Sequence, residues 1–163
     1  MTKYRRSFKW PPTARGAAQN KPSNKWQAAL ETPGRFFHDV LRFTPEPWQL
    51  QVAEDFDVPD ARVAVRSCNG AGKTTIAAVL IPYLLSKYPF SKIACLSTTA
   101  THLIQNLWSE ANKWITNAAG TPLPRLLEWQ HNGIFVRGPH RASWFAAPKA
   151  TATVEALQGM HAP

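Results

Sequence analysis

Apolar and polar residues recur along the chain with two different periods, and these periods predict an order of helices and strands. Residues 26–56 have the spacing of helices, interrupted at Pro33 and again at Pro45, so we expect short helices between these breaks. Pro47 suits the first turn of a helix that continues to Phe56.

The centre of the chain alternates short β-branched runs with longer amphipathic ones. "RVAVR" (62–66) and "KIACLST" (92–98) predict strands, and residues 73–88 and 101–115 predict helices. Pro82 lies inside the first of these helices, where we expect a kink or an early stop. The order strand, helix, strand, helix predicts an α/β fold with a parallel sheet and right-handed crossovers.

The last part of the chain predicts a hairpin followed by a short helix. "GIFVRG" (133–138) and "ASWFAAP" (142–148) are two short strands joined by "PHR", and "TVEALQG" (153–159) predicts one or two helical turns. Four tryptophans occupy core-like positions, so we expect them to pack rather than to stack on bases: Trp26, Trp48, Trp108 and Trp114.

Composition indicates one globular domain without a membrane span. The chain has 163 residues, of which 44% are hydrophobic and 18% charged. Its central apolar run, "IAAVLI", is far shorter than a membrane requires, and the N-terminus lacks the apolar region of a secretory signal. Cys68 and Cys95 cannot form a disulfide framework, so we expect a reducing cytoplasm.

The net charge of +9 is concentrated at the N-terminus. Residues 1–25 contain seven of the 19 basic residues and no acidic one, which leaves 12 basic and 10 acidic residues in the remainder. We therefore expect a flexible basic arm over 1–25 and a domain over 26–163. Charge alone leaves two roles open for the arm, contact with nucleic acid or solubility.

The stretch "RVAVRSCNGAGKTT" has the form of a phosphate-binding loop between a strand and a helix. The pattern for such a loop is Gly, four free positions, then Gly-Lys-Ser/Thr, and Ser67 stands where the first glycine is usual. The predicted phosphate-binding residues are Ser67, Cys68, Asn69, Gly70, Ala71, Gly72, Lys73, Thr74 and Thr75.

Four positions of this loop have a predicted task. Gly70 and Gly72 let backbone N–H groups approach phosphate oxygens. Lys73, the predicted catalytic residue, would lie against the β- and γ-phosphates, and the Thr74 hydroxyl would ligate Mg²⁺. The helix that follows adds the positive end of its dipole. The expected cofactors are ATP and Mg²⁺.

Hydrolysis by such a loop also uses an acidic residue on a neighbouring strand. After Lys73 the chain contains only three acidic residues, Glu110, Glu128 and Glu155. Their neighbours in the sequence predict surface positions for all three rather than Mg²⁺ ligation.

Four segments in order resemble the ATPase half of large terminase subunits, the motors that package DNA into tailed-phage heads. They are "PGRFFHDVLRFTPEPWQLQV", "RVAVRSCNGAGKTT", "CLSTTATHLIQNLWSEANKWI" and "EALQGMHAP", and they cover residues 33–163. The resemblance implies a P-loop NTPase of the ASCE or RecA-like class, with a parallel sheet flanked by helices.

The resemblance also implies roles for particular residues. Gln49 matches a glutamine that recognises adenine, because an amide can both donate to and accept from the base. Thr98 and Thr99 match the segment that couples the nucleotide to DNA handling. Asn69 stands where many members have an arginine, and we assign no catalytic role to Arg66.

The implied partners are double-stranded DNA, the portal protein, the small terminase subunit and further copies in a homo-oligomeric ring. The implied location is the bacterial host cytoplasm, with transient docking at the viral procapsid portal.

In similar terminases the segment that matches "LQGMHA" precedes the strand carrying the Mg²⁺-binding Asp and the catalytic Glu. We therefore expect a chain that ends before this motif, with an incomplete sheet, marginal stability and little ATPase activity by itself. Two alternatives stay open: a helicase-like, nucleic-acid-stimulated ATPase, and a small nucleotide- or DNA-binding protein without turnover.

Overall fold

A computed structural model describes residues 24–97, 99, 101 and 103–150. Most of the predicted basic arm and the whole predicted helix at 153–159 lie outside these residues. Among the described residues, none of the helices is both long and apolar enough to cross a membrane.

Three short helices precede the loop, separated by prolines as predicted: α1 (Asn24–Ala29), α2 (Pro33–Asp39) and α3 (Pro47–Phe56). The helices α2 and α3 each begin with a proline, which has no N–H to leave unpaired in the first turn. The Thr32 hydroxyl caps α2 by accepting a hydrogen bond from the Arg35 N–H at 3.3 Å.

The central helix α4 (Lys73–Lys87) has 15 residues and continues through Pro82, so the early stop considered above does not occur. A proline inside a helix removes one backbone hydrogen bond and costs about 3 kcal/mol. Burial opposes that cost, because Val79, Tyr83 and Leu85 are fully buried in α4 and Pro82 itself is buried.

The sheet has four strands in the order β1-β4-β3-β2, and it is mixed rather than parallel. The strands are β1 (Lys92–Ser97), β2 (Leu127–Gln130), β3 (Gly133–Val136) and β4 (Phe145–Ala150). β1 and β4 are parallel, with Lys92 opposite Phe145, whereas β2–β3 and β3–β4 are antiparallel.

The pairing of β3 with β4 confirms the predicted hairpin, whose connection includes a 3₁₀ turn at Arg141–Ser143. The strand β2 had no counterpart in the sequence prediction. Between β1 and β2 the chain forms a π-helix (Leu103–Trp108), α5 (Ser109–Asn117) and α6 (Leu123–Leu126).

The predicted strand "RVAVR" is wrong for this structure, because residues 61–68 form neither helix nor strand. Val65 is 40% exposed. Strand propensity expresses packing against neighbouring strands, and residues 62–66 have no strand partner within the described part of the chain. The observed fold is thus mixed α/β with a small mixed sheet.

The sheet packs on α4 and on the π-helix, and α5 packs on α4, to form the core. Ile134, Val136 and Ala146 are buried there. Two indole hydrogen bonds connect the π-helix to β2. The Trp108 indole donates to the Gln130 carbonyl, and the Trp129 indole donates to the Trp108 carbonyl, both at 3.1 Å.

The core positions predicted for the tryptophans are confirmed. Trp26 and Trp108 are buried, and Trp48 and Trp114 are partly buried and pack against the core. Trp108 also illustrates why a buried indole needs a partner for its N–H, which here is a strand carbonyl.

A polar cluster joins the end of α3 to the end of α4. The Asp57 carboxylate accepts hydrogen bonds from the Tyr83 hydroxyl at 2.8 Å and the Tyr88 hydroxyl at 2.7 Å, and it pairs with the Lys87 ammonium. Burial, then the hydrogen bond to Asp57, raises the pKa of Tyr88 to about 12 and raises the pKa of Tyr83 further. Both hydroxyls therefore stay protonated and donate.

Candidate phosphate site

The glycine-rich loop connects the exposed segment 61–68 to the first turn of α4. Asn69 and Gly70 form a turn, and Gly70 and Gly72 have φ values of +78° and +89°. These values lie in the left-handed region, which glycine adopts without the clash that a Cβ causes. The backbone therefore turns tightly at these two glycines, and residues Ser67–Gly70 are exposed.

The Lys73 side chain folds back into the loop. Its ammonium donates to the Cys68 carbonyl at 2.6 Å, the Ser67 carbonyl at 3.1 Å and the Ser67 hydroxyl at 3.2 Å. An ammonium has three N–H donors, so these oxygens use all of them. The contacts hold a positive charge at the mouth of the loop, directly beside the helix N-terminus.

The first turn of α4 contributes backbone donors at the same place. Gly72 is the N-cap residue, and no side chain among the described residues caps the helix there. The Ile76 N–H makes the first intrahelical hydrogen bond, to the Gly72 carbonyl at 3.1 Å. The N–H groups ahead of Ile76 therefore point out of the helix toward the loop, where the helix dipole favours an anion.

Thr74 and Thr75 follow Lys73 on this turn, with Thr74 exposed and Thr75 half-buried. One hydroxyl can supply one oxygen ligand to Mg²⁺, which usually keeps several waters and takes the rest of its ligands from carboxylates and phosphates. In the described part of the chain no three His, Cys, Asp or Glu residues are grouped for a metal. Thr74 therefore fits a metal ion that arrives with phosphate oxygens.

Gln49 lies against the loop, but in an unexpected way. It is only 4% exposed. Its amide nitrogen donates to the Gly72 carbonyl at 3.2 Å, and its amide oxygen accepts from the Glu46 N–H at 2.9 Å. Whereas the resemblance implied adenine as the partner of this amide, both of its ends bond to the protein in this structure.

The two described acidic residues after Lys73, Glu110 and Glu128, are engaged elsewhere. The Glu110 carboxylate accepts from the Trp114 indole at 3.0 Å and lies 3.6 Å from the Lys113 ammonium. Glu128, on the outermost strand β2, lies 3.8 Å from Arg137 and 3.6 Å from Arg141. Glu155 and Thr98 lie outside the described residues, and Thr99 is exposed after β1.

One available sequence signal pointed to the contact of Gln49 with the Glu46 backbone. In "EPWQ" the glutamine stands at the third helical position after Glu46, which is the spacing at which a side-chain amide returns to the N-cap backbone. The contact with Gly72 joins residues 23 positions apart and had no local signal.

Comparison with family models, with characterised proteins and with solved structures gave no match to this chain.

Proposed function

We propose that the loop Ser67–Thr75 binds the triphosphate of ATP with Mg²⁺. The observation that carries the proposal is the Lys73 ammonium, held inside a glycine-rich loop at the start of a 15-residue helix. Backbone N–H groups, a lysine charge and a helix N-terminus together form the chemistry that binds phosphate chains.

In this proposal different groups of the loop contact the phosphates and the magnesium ion. Lys73 moves from the carbonyls of Ser67 and Cys68 toward the β- and γ-phosphates, and the freed backbone turns its N–H groups to the oxygens. Thr74 adds one ligand to the magnesium ion. The P-loop NTPase class is part of the proposal because of the loop and the helix α4; it goes beyond the mixed sheet described above, in which residues 62–66 form no strand.

The biological function proposed for this site follows from the order of motifs. We propose that ATP hydrolysis at the loop drives double-stranded DNA into a procapsid, as in large terminase subunits, with the portal protein, the small terminase subunit and further copies of the chain as partners. The support is the order of the four sequence segments together with the loop geometry around Lys73.

A second candidate is nucleotide binding without turnover. It is favoured by the contacts of Glu110 and Glu128, the two described acidic residues after Lys73, which are engaged with Trp114, Lys113, Arg137 and Arg141. Phosphate release with and without DNA distinguishes this candidate from a DNA-stimulated motor.

The test is calorimetric titration of the 163-residue chain with Mg–ATP. We expect Lys73→Ala to weaken binding by about tenfold or more, because a hydrogen-bonded charge pair is lost. Lys113→Ala is the matched control, since Lys113 is an exposed lysine on α5. Equal affinity of the wild type and Lys73→Ala would show that the loop is not the site.

A further inference from the structure

We propose that Gln49 is a positioning residue for the phosphate loop: its amide holds the Gly72 carbonyl and so shapes the loop for a phosphate chain, whatever base is attached. The inference rests on the proposed function, because it assumes that the loop binds phosphate. It differs from adenine recognition, which would have Gln49 contact the base.

The first argument is the way in which Gln49 is fixed. As the third residue of α3 it is buried between that helix and the loop, and the Glu46 N–H holds its amide oxygen at 2.9 Å. This bond orients the amide so that its nitrogen faces the Gly72 carbonyl. The N-terminus of α3 thus holds the Gln49 amide N–H in position to donate to the loop.

The second argument is the fit between Gln49 and Gly72. A Cβ on Gly72 would lie 2.6 Å from the Gln49 amide nitrogen, closer than real Cβ contacts. A Cβ on Gly70, which has a similar φ, would meet nothing within 4 Å. Glycine at position 72 is therefore favoured by its left-handed backbone, and a Cβ there would displace the Gln49 amide.

The third argument is the location of the held carbonyl. Gly72 immediately precedes Lys73, and its carbonyl also accepts the first hydrogen bond of α4, from Ile76. Fixing this peptide fixes the direction of the backbone N–H groups and of the Lys73 side chain. If one group of a preorganised site is displaced, the binding of every ligand that contacts this group becomes weaker.

Gln49→Met is the informative substitution, because methionine has similar length but no hydrogen-bonding amide. Gln51→Met is the matched control, since Gln51 is an exposed glutamine two residues further along α3. Gln49→Asn serves as a second variant if Gln49→Met does not fold, since it keeps an amide that is one methylene too short to reach Gly72.

Binding of Mg–ATP and of inorganic tripolyphosphate with Mg²⁺ is measured by calorimetry at a temperature where all variants are folded. The loss of one hydrogen bond predicts about fivefold weaker binding for both ligands in Gln49→Met, and wild-type affinity in Gln51→Met. Weaker binding of ATP with unchanged tripolyphosphate binding would overturn the proposal in favour of adenine recognition. Unchanged binding of both ligands would also overturn it.

Hydrogen exchange of the ligand-free chain separates this inference from the proposed function. We expect faster exchange at the start of α4, residues 76–79, in Gln49→Met and no change in Gln51→Met, because the Ile76 N–H bonds to the Gly72 carbonyl that Gln49 holds. If the wild type binds neither ligand, the proposed function fails, and exchange still decides whether Gln49 holds the loop. Unchanged exchange at 76–79 would overturn the positioning role regardless of ligand binding.

Discussion

The two cysteines differ in environment, and this difference gives a probe of the loop at the scale of single residues. Cys68 is exposed in the loop, with its carbonyl bound to Lys73. Cys95 lies in β1 and packs against the core, and burial raises the pKa of its thiol to about 12. The thiolate is the nucleophile, so the two thiols should react at different rates.

We predict that iodoacetamide at pH 8 modifies Cys68 at least 100-fold faster than Cys95, since a pKa of about 12 leaves roughly one thiolate in 10⁴. Mass spectrometry of the alkylated peptides measures both rates. Cys95→Ser should keep the fast phase and Cys68→Ser should remove it. Mg–ATP should slow the fast phase if the loop binds phosphate, and equal rates at the two thiols would contradict the burial of Cys95.

Gln49 shows what the sequence does and does not predict about a residue. Its position in a helix after Pro47 follows from local pattern, and so does its return to the Glu46 N–H. Its burial against Gly72 does not, because that contact depends on how α3 packs on α4. Local spacing predicts hydrogen bonds within a turn, whereas the partner across 23 residues depends on the tertiary fold.

At the scale of elements, α4 connects the loop to the core. Its first residue is Lys73, and its last turn carries Tyr83 and Lys87, which bind Asp57 at the end of α3. The helices α3 and α4 are thus joined at both ends, by Gln49 with Gly72 near the loop and by the Asp57 cluster at the far end. Loosening the far end should weaken the packing between the two helices.

We predict that Asp57→Asn lowers the free energy of unfolding by about 2 kcal/mol. The substitution removes the charge of a largely buried carboxylate that accepts from Tyr83, Lys87 and Tyr88. Urea denaturation measures the change. Asp55→Asn is the matched control, since Asp55 is an exposed neighbour whose carboxylate accepts only from Gln51 among the contacts of the described residues. We expect that control to change stability by less than about 0.5 kcal/mol.

The Asp57 cluster also predicts how the free energy of unfolding falls at alkaline pH. Folding raises the pKa of Tyr88 from 10.0 to about 12. The protonated hydroxyl of Tyr88 therefore makes its full contribution to stability below pH 10. This contribution is lost as the pH rises through about 12, since the unfolded chain then binds fewer protons. Tyr88→Phe should make this fall smaller, and a wild-type stability that is constant between pH 10 and 12 would contradict the cluster.

Element prediction succeeds and fails for physical reasons that can be named. The helices before the loop follow from proline positions, and the hairpin of β3 with β4 follows from two apolar runs joined by a polar turn. The strand β2 was missed because "LEWQ" alternates over only four residues, too few to be distinctive, and its pairing with β3 stabilises it. "RVAVR" has strong propensity but no strand partner within the described residues, so propensity alone does not make it a strand.

At the scale of the whole molecule, the glycine-rich loop and the sheet are separate features. The sheet begins with β1, after α4, and the segment 62–66 that leads into the loop is outside it. A P-loop fold would have that segment as a sheet strand, with its backbone bonded on both sides. The solution behaviour of this segment therefore tests the overall arrangement.

We predict that the amides of residues 62–66 exchange with solvent nearly as fast as those of an unfolded chain, whereas those of 134–136 are protected. Exchange requires an open N–H, and Val136 in β3 donates to the Trp144 carbonyl at 3.1 Å, while residues 62–66 make no backbone hydrogen bond within the described part of the chain. Hydrogen–deuterium exchange with peptide mass spectrometry measures both segments in one sample. The segment Ala78–Leu85 of α4 is the internal standard for full protection, because it is almost entirely buried. Strong protection at 62–66 would contradict the unpaired arrangement and favour the parallel P-loop sheet.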